Sequence, residues 1–357
     1  MKIFWQILLI LPFVISCKSE EPADDVFKYN ETAGVLTLDP AFAKDLPHIW
    51  VCNQLYNGLV ELDSKLNIKP SLAKDWNVTP DGLVYQFHLR TDVLFHDHPV
   101  FKGTKRKFVA KDVVFSFNRL LDERLASPGR WIFNQVARNK DSLDIVAIND
   151  STLRIRLSRP FPAFLSLLGM AYASVIPHEV VAEEGQEFRR RPIGTGPFYF
   201  KFWEEGVRLV FRKNPVYFET EDGERLPKLE AVSVSFLSDK QTAFMEFIKG
   251  RLDFMSGIDA RYKDELLTRK GYLRKAYIDK INLIRGPYLN TEYLGFYLGE
   301  NNKNTLSAEQ YLALRKAVNY GIDREKMLRY LRNNVGFPGH SGMIPKGLQG
   351  YDTTTSI

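Results

Sequence analysis

Residues 69–97, KPSLAKDWNVTPDGLVYQFHLRTDVLFHD, are the stretch on which the reading of the fold turns. Within it, Val84-Tyr85-Gln86-Phe87-His88-Leu89-Arg90 alternates in period two, which predicts a strand with one face in a core. Asn67 to Trp76 reads as a connection into that strand. After it, His98-Pro99 opens a loop through Lys107 that is rich in Lys and Arg and reads as a surface insertion. Beyond the loop the period changes. Residues 109–121 place Val109, Val113, Val114, Phe117, Leu120 and Leu121 on one helical face.

The same alternation of short elements extends both ways. Upstream, Val35-Leu36-Thr37-Leu38 reads as a strand ended by Asp39-Pro40, and residues 48–60 as an amphipathic helix. Downstream, Thr152 to Leu157 reads as a strand stopped by Arg159-Pro160. Phe198 to Trp203 and Val207 to Phe211 follow the Gly194–Pro197 turn, and residues 229–237 give one more strand. Helices are predicted at 240–249, 308–320 and 323–332, with no internal repeat. Strands scattered this widely predict an α/β (mixed α+β) fold whose domains are discontinuous in sequence.

At 357 residues the chain suits two or more domains, and 45% hydrophobic residues, with 25 Phe and 16 Tyr, exclude a disordered polypeptide. The formal charge of +6 is a mild excess of the kind that affects solubility rather than fold. Basic clusters at Lys102–Lys107 and Arg189–Arg191 do not recur at helical spacing with stacking aromatics. They read as solvated loops, and no nucleic-acid partner is expected.

The N-terminus looks like an export signal. Lys2 supplies a positive start, and residues 3–16 are apolar except for Gln6 and Pro12. This is short of the ~20 residues a spanning helix needs. The stretch ends in Val14-Ile15-Ser16-Cys17, which resembles a bacterial lipobox, so residues 1–17 read as a lipoprotein signal with lipidation at Cys17. Residues 18–25 are polar and acidic and read as a flexible tether. The expected location is the cell envelope, on its periplasmic or surface side, lipid-anchored to a membrane. Cys52, the other cysteine, then has no disulfide partner. It shares an apolar face with Ile49, Leu55, Tyr56 and Leu59, and reads as a buried, inert thiol.

Several motifs fall in a fixed order. LTLDPAF (36–42) is followed by NQLYNGLVELD (53–63), then by residues 69–97 and AKDVVFSFNRLLD (110–122). IGTGPFYFKFWEEG (193–206), RKNPVYF (212–218) and LRKAVNYGIDREKM (314–327) come after them. In this order they resemble the bacterial extracellular solute-binding proteins of family 5, the dipeptide- and oligopeptide-binding group. The resemblance covers Val26 to Tyr351. It implies a periplasmic-binding-protein-like two-lobed clamshell with an extra small nested domain. Residues 26–56 and 174–287 would form lobe I, 57–173 the nested domain, and 288–357 the start of lobe II. The family chain continues beyond the segment matched by Gly342 to Asp352, so the resemblance also implies an incomplete second lobe.

The function implied is that of an ABC-transporter substrate-binding lipoprotein. Its lobes would hinge shut over a peptide, and permease subunits would read the closed state. A monomer with no cofactor is expected. Alternatives are a nickel complex, haem or an oligosaccharide as solute, or a peptide-sensing surface lipoprotein without transport. By resemblance, ligand contacts would come from Lys44, Asp45 and Leu46 in the loop after LDP, and from Arg130 and Trp131 after Ser127-Pro128. Met255, Ser256 and Gly257 near the lobe crossing, and Tyr293, Phe296 and Tyr297 in a strand bordering the site, complete the set. Either aromatic group could instead be core. The enzyme alternative starts from His96-Asp97-His98, where two histidines could share a metal on a strand. With no HExxH motif, cysteine cluster or nucleophile elbow, a solvated loop is favoured there and no catalytic residue or metal is expected.

Overall fold

The computed structural model describes residues 25–286, 288–298, 306–340, 342–348, 350–352 and 354. Cys17, the rest of the signal segment and most of the tether lie outside the described residues. The chain divides into two compact units. The first holds residues up to Asp239 together with Glu246–Met255, and the second holds Lys240–Met245 together with Ser256 onward.

Eight strands build the two four-stranded sheets of the first unit. They are β1 (Val26–Asn30), β2 (Ala73–Val78), β3 (Val84–Leu89), β4 (Ile145–Asn149), β5 (Thr152–Arg156), β6 (Phe198–Glu204), β7 (Arg208–Lys213) and β8 (Ala231–Ser235). One sheet has the order β1-β8-β7-β6 and the other β2-β3-β5-β4. In the first, β1 and β8 run parallel from Val26 opposite Ala231 to Asn30 opposite Ser235. Parallel neighbours cannot be joined by a tight hairpin, so the chain between them is free to build the other sheet and return.

The second sheet is antiparallel throughout. Alternation in β3 works as the sequence predicts. Tyr85, Phe87 and Leu89 point inward, with Phe87 opposite Leu153 and Tyr85 opposite Ile155 on β5. Helix α2 (Ala110–Arg119), shorter than the predicted 109–121, buries Val113 and Phe117. Leu120 and Leu121 just past its end are buried too. The Phe117 and Phe133 rings lie 4.6 Å apart, and the Phe164 ring meets Tyr85 edge-on at 5.1 Å. Each fully buried Phe contributes about 1.5–3 kcal/mol relative to exposure.

Helix α1 spans Leu46–Leu55 rather than 48–60. Asp45 starts it by accepting the His48 N–H at 3.3 Å, with Pro47 in the first turn where no N–H is needed. Its end is set from outside. The Gly194-Thr195-Gly196 turn presses on Leu55, where a Cβ on Gly194 would lie 2.1 Å from the Leu55 carbonyl oxygen. Cys52 is buried as expected, and burial pushes its thiol well up.

Two other expectations are corrected. Residues 35–38 join no sheet, because their polar groups are taken elsewhere. The Leu36 N–H goes to His48, Leu38 N–H to the Arg189 carbonyl, and Leu38 O accepts from the Tyr56 hydroxyl at 2.9 Å. The supposed connection 67–76 is largely strand. Ile68–Pro70 pairs with Val60–Leu62, and Ala73–Val78 is β2, whose outer residues face water and so give no apolar alternation.

In the second unit, Phe244 stacks on Tyr262 at 4.3 Å above buried Leu266 and Leu267. Helix α3 (Ala308–Gly321) is capped by Ser307 and Gln310, each bonding the other's backbone N–H. Helix α4 (Arg324–Arg332) is capped by Asp323 and closed by Asn333 at φ 48°. Neither helix has a buried residue. Among the described residues, no helix is long and apolar enough to cross a membrane.

Candidate functional site

The LTLDPAF motif acts through Asp39. Its carboxylate accepts the Ala41 N–H at 3.0 Å and takes both Arg119 nitrogens, at 2.9 and 2.6 Å. That bidentate pair is nearly dry, with side-chain exposures of 5% and 13%, and fastens the motif to the end of α2. A second fastening lies beside it. Ser127 Oγ donates to Ala41 O at 2.6 Å and accepts the Gly129 N–H at 3.0 Å. The loop carrying Lys44–Leu46 and the turn carrying Arg130–Trp131 therefore hang from one anchor.

Tyr172 sits at the junction. Gly129 lies so close to its ring that a Cβ there would be 2.3 Å from Cδ1, so only glycine fits. Burial pushes the Tyr172 hydroxyl up, and the charge of Asp45 pushes it further; the Ala171–Ala173 turn packs against both Pro40–Phe42 and helix α1. In this way the segments flanking Lys44 and Asp45 pack on the same turn as Gly129, the neighbour of Arg130 and Trp131.

The charges there are unequal in their pairing. His48 Nε2 accepts the Leu36 N–H at 3.1 Å, so the ring proton is on Nδ1 and faces Asp45 Oδ1. Partial burial tends to raise Asp45, but its hydrogen bonds to His48 outweigh that and leave it below the usual carboxylate range. Lys44 and Arg130 are exposed, and the charge of Lys44 helps to hold Asp45 down. Trp131 is 49% exposed.

The remaining candidates lie elsewhere. Met255 follows Phe254, which bridges to Tyr29 in parallel and extends the first sheet beyond β1. Asp253 secures that edge, its N–H donating to Lys28 O and its carboxylate accepting the Lys28 N–H, both at 2.7 Å. Phe254 joins Phe27, Tyr29 and Trp50 in an aromatic cluster with ring spacings of 6.1 to 6.3 Å. Ser256, Gly257, Tyr293, Phe296 and Tyr297 fall in the second unit. Ser256, Gly257, Tyr293 and Tyr297 are exposed, and Phe296 meets the Tyr311 ring edge-on at 6.4 Å. The expected strand through Tyr293–Tyr297 is absent, because no described segment offers it a ladder. Sequence reasoning missed Tyr172, Trp50 and Phe254. Phe27 and Tyr29, two apart on a strand, were the available signal for the cluster; Tyr172 had none.

The His96-Asp97-His98 segment is not a solvated loop. His96 is buried, its Nε2 bonded to Gly196 O at 3.0 Å and its backbone N–H to Gly194 O at 2.8 Å. Burial pushes its pKa down to about 4, against a smaller upward pull from the Gly196 bond. His98 turns to Glu184 at 3.1 Å, so the two rings serve different partners. The neighbouring basic loop is partly tied down as well. Arg106 spans Asp112 at 2.6 Å and Glu179 at 2.8 Å, which with His178 form the one trio among the described residues close enough to share a metal ion. The guanidinium already supplies the cation there. Arg189–Arg191 likewise pair, with Glu205 and Glu184.

These features define a class, and comparison with known proteins places the chain within it. The mixed α/β fold is that of the two-lobed periplasmic binding proteins. The model of the bacterial extracellular solute-binding proteins, family 5 Middle, matches residues 67–356, and the chain belongs to that family. It is 30% identical over 342 residues to heme-binding protein A of Haemophilus influenzae, covering 92% of this chain and 58% of the relative. It is 26% identical over 310 residues to the dipeptide-binding protein of Escherichia coli, covering 84% and 54%. In structure it matches the periplasmic binding protein DppA of Helicobacter pylori in complex with the peptide STSA, with TM-score 0.72 and 24% identity, over 93% of this chain and 62% of that one. The chain thus spans a little under 60% of the length of these curated relatives.

Proposed function

We propose that this chain belongs to a substrate-binding protein that captures di- or oligopeptides and delivers them to the permease subunits of an ABC importer. It acts without catalysis, as a monomer lipid-anchored through Cys17 on the outer side of a membrane. The observation that carries the reading is the packing of the segments flanking Lys44 and Asp45, and of Gly129 beside Arg130–Trp131, on the Ala171–Ala173 turn, in a family whose relatives include dipeptide- and di/tripeptide-binding proteins. Two loops from distant parts of the chain, on a rigid buried ion pair, present charge and an aromatic face to solvent. That is how a binding surface is held ready for varied ligands.

Differential scanning fluorimetry against a dipeptide and tripeptide library tests this. A ligand that binds the folded form alone raises Tm by mass action. Upward shifts with several peptides are expected, and no shift across the library refutes the peptide assignment. A second reading, haem, is favoured by the 30% identity to a heme-binding relative. A Soret band that survives gel filtration of haem-incubated protein would select it.

A further inference from the structure

We propose that the turn over Thr268–Tyr272 and the basic segment after it dock on the anionic phospholipid headgroups of a membrane. The inference goes beyond the peptide reading and shares with the proposed function the Cys17 anchor, which would keep a membrane within reach. Its basis is where the charge lies. From Ser256 onward, sixteen Lys and Arg stand against ten Asp and Glu, so the whole excess of +6 falls there. It is densest between Arg269 and Arg285. Arg269, Lys270, Arg274, Lys275, Lys280 and Arg285 face one acid in that stretch, Asp279.

Acids elsewhere in the unit are taken by other groups. Asp259 is held by Arg261 at 3.0 Å and Lys240 at 3.1 Å, Asp264 by Lys263 at 2.7 Å, and Glu292 by Arg332 at 2.7 Å. Glu265 accepts the Tyr277 hydroxyl at 2.9 Å. Arg274 turns back, its Nε donating to Asp264 O at 2.7 Å. Arg269, Lys270, Lys275 and Lys280 are exposed and form no ion pair among the described residues.

The turn is also built to hold its shape. The Thr268 N–H donates to Tyr272 O at 2.8 Å, the Gly271 N–H to Thr268 O at 2.9 Å, and Leu267 bridges to Leu273. Gly271 supplies the left-handed residue, at φ 76°. Buried Leu266 and Leu267 hold its base, and the Arg285 guanidinium lies over the Tyr272 ring at 5.2 Å. Arg269 and Lys270 are thereby kept at the tip, with Tyr272 62% exposed beside them. Cations flanking an exposed tyrosine suit a membrane surface. The charged groups meet phosphates, and the amphipathic ring sits at headgroup level. An acidic protein segment would match the charge as well, but the anchor makes the membrane the standing neighbour.

Amine acetylation of the complete acylated chain, reconstituted on vesicles and read lysine by lysine by mass spectrometry, tests the inference. One set of vesicles is phosphatidylcholine, the other equal parts phosphatidylcholine and phosphatidylglycerol. Each cation near an anionic surface favours docking about fivefold, so Lys270 and Lys275 should label at least about tenfold more slowly on the anionic vesicles. Lysines of the first unit give the baseline. The protection should vanish in about 1 M salt, where the screening length is about 3 Å. Arg269→Gln combined with Lys280→Gln should restore most of the labelling. Both side chains are exposed, so this variant is expected to melt with the native chain. Equal labelling on the two vesicle types, the outcome an acidic protein partner would give, overturns the inference and leaves the peptide reading standing. A chain found on neither vesicle overturns both the inference and the Cys17 anchor. One found on the anionic vesicles alone supports the inference and overturns the anchor.

Discussion

Replacing Arg119 by Met should be among the most damaging single changes in the first unit. Asp39 and Arg119 are nearly dry and joined by two short bonds of 2.9 and 2.6 Å. Methionine preserves much of the side-chain volume beside the Phe188 ring, over which the guanidinium lies at 5.6 Å. What it removes is the counter-charge, leaving Asp39 with the Ala41 N–H as its remaining donor. Removing one partner of a buried ion pair costs about 3–5 kcal/mol, because the other charge stays desolvated. For a unit of this size that corresponds to a fall in Tm of roughly 6–20 °C. Thermal unfolding followed by tryptophan fluorescence measures it. The double variant Asp39→Asn/Arg119→Met should recover part of the loss, since it takes away the stranded charge, and so should fall short of the sum of the singles by at least ~2 kcal/mol. A single-variant cost under ~1 kcal/mol, or strict additivity, would refute the idea that this pair anchors the site loops.

Other outcomes follow from the same packing. His96 is held neutral, its pKa lowered from 6.5 to about 4, so the unfolded chain takes up a proton first as pH falls. The stability it contributes is complete above pH 6.5 and declines toward pH 4, with roughly 2 kcal/mol gone by pH 5; His96→Gln should flatten that part of the Tm-against-pH curve. Gly196→Ala would put a Cβ 2.4 Å from the Leu55 carbonyl carbon, backbone that cannot swing aside, so urea denaturation should show a loss of at least ~1–3 kcal/mol. Gly321→Ala, with nothing within 4 Å of the added carbon, should be neutral in the same assay. Cys52, buried and with its thiol pushed up, should resist iodoacetamide in the native protein and react once it is unfolded, read by peptide mass spectrometry.

Local pattern in the sequence was enough for elements whose residues settle their own environment. β3 is legible because Tyr85, Phe87 and Leu89 alternate toward a core, and α2 because Val113 and Phe117 recur at helical spacing. The ordered motifs carried the family, since their spacing survives whatever the loops do. The same pattern could not see groups whose state is decided by something distant. Residues 35–38 have strand composition, yet His48 and the Arg189 carbonyl take their N–H groups. β2 looks like a linker, yet it pairs along β3. His96 looks like part of a solvated loop, yet the Gly194-Thr195-Gly196 turn buries it. The site shows the contrast most clearly. Lys44, Asp45, Arg130 and Trp131 are named by motif, but the joining of the segments beside them depends on the Asp39–Arg119 and Ser127–Ala41 bonds, each closing a loop of about eighty residues or more. A hydrogen bond or ion pair between distant residues leaves no periodicity in the chain, so only the folded molecule decides it.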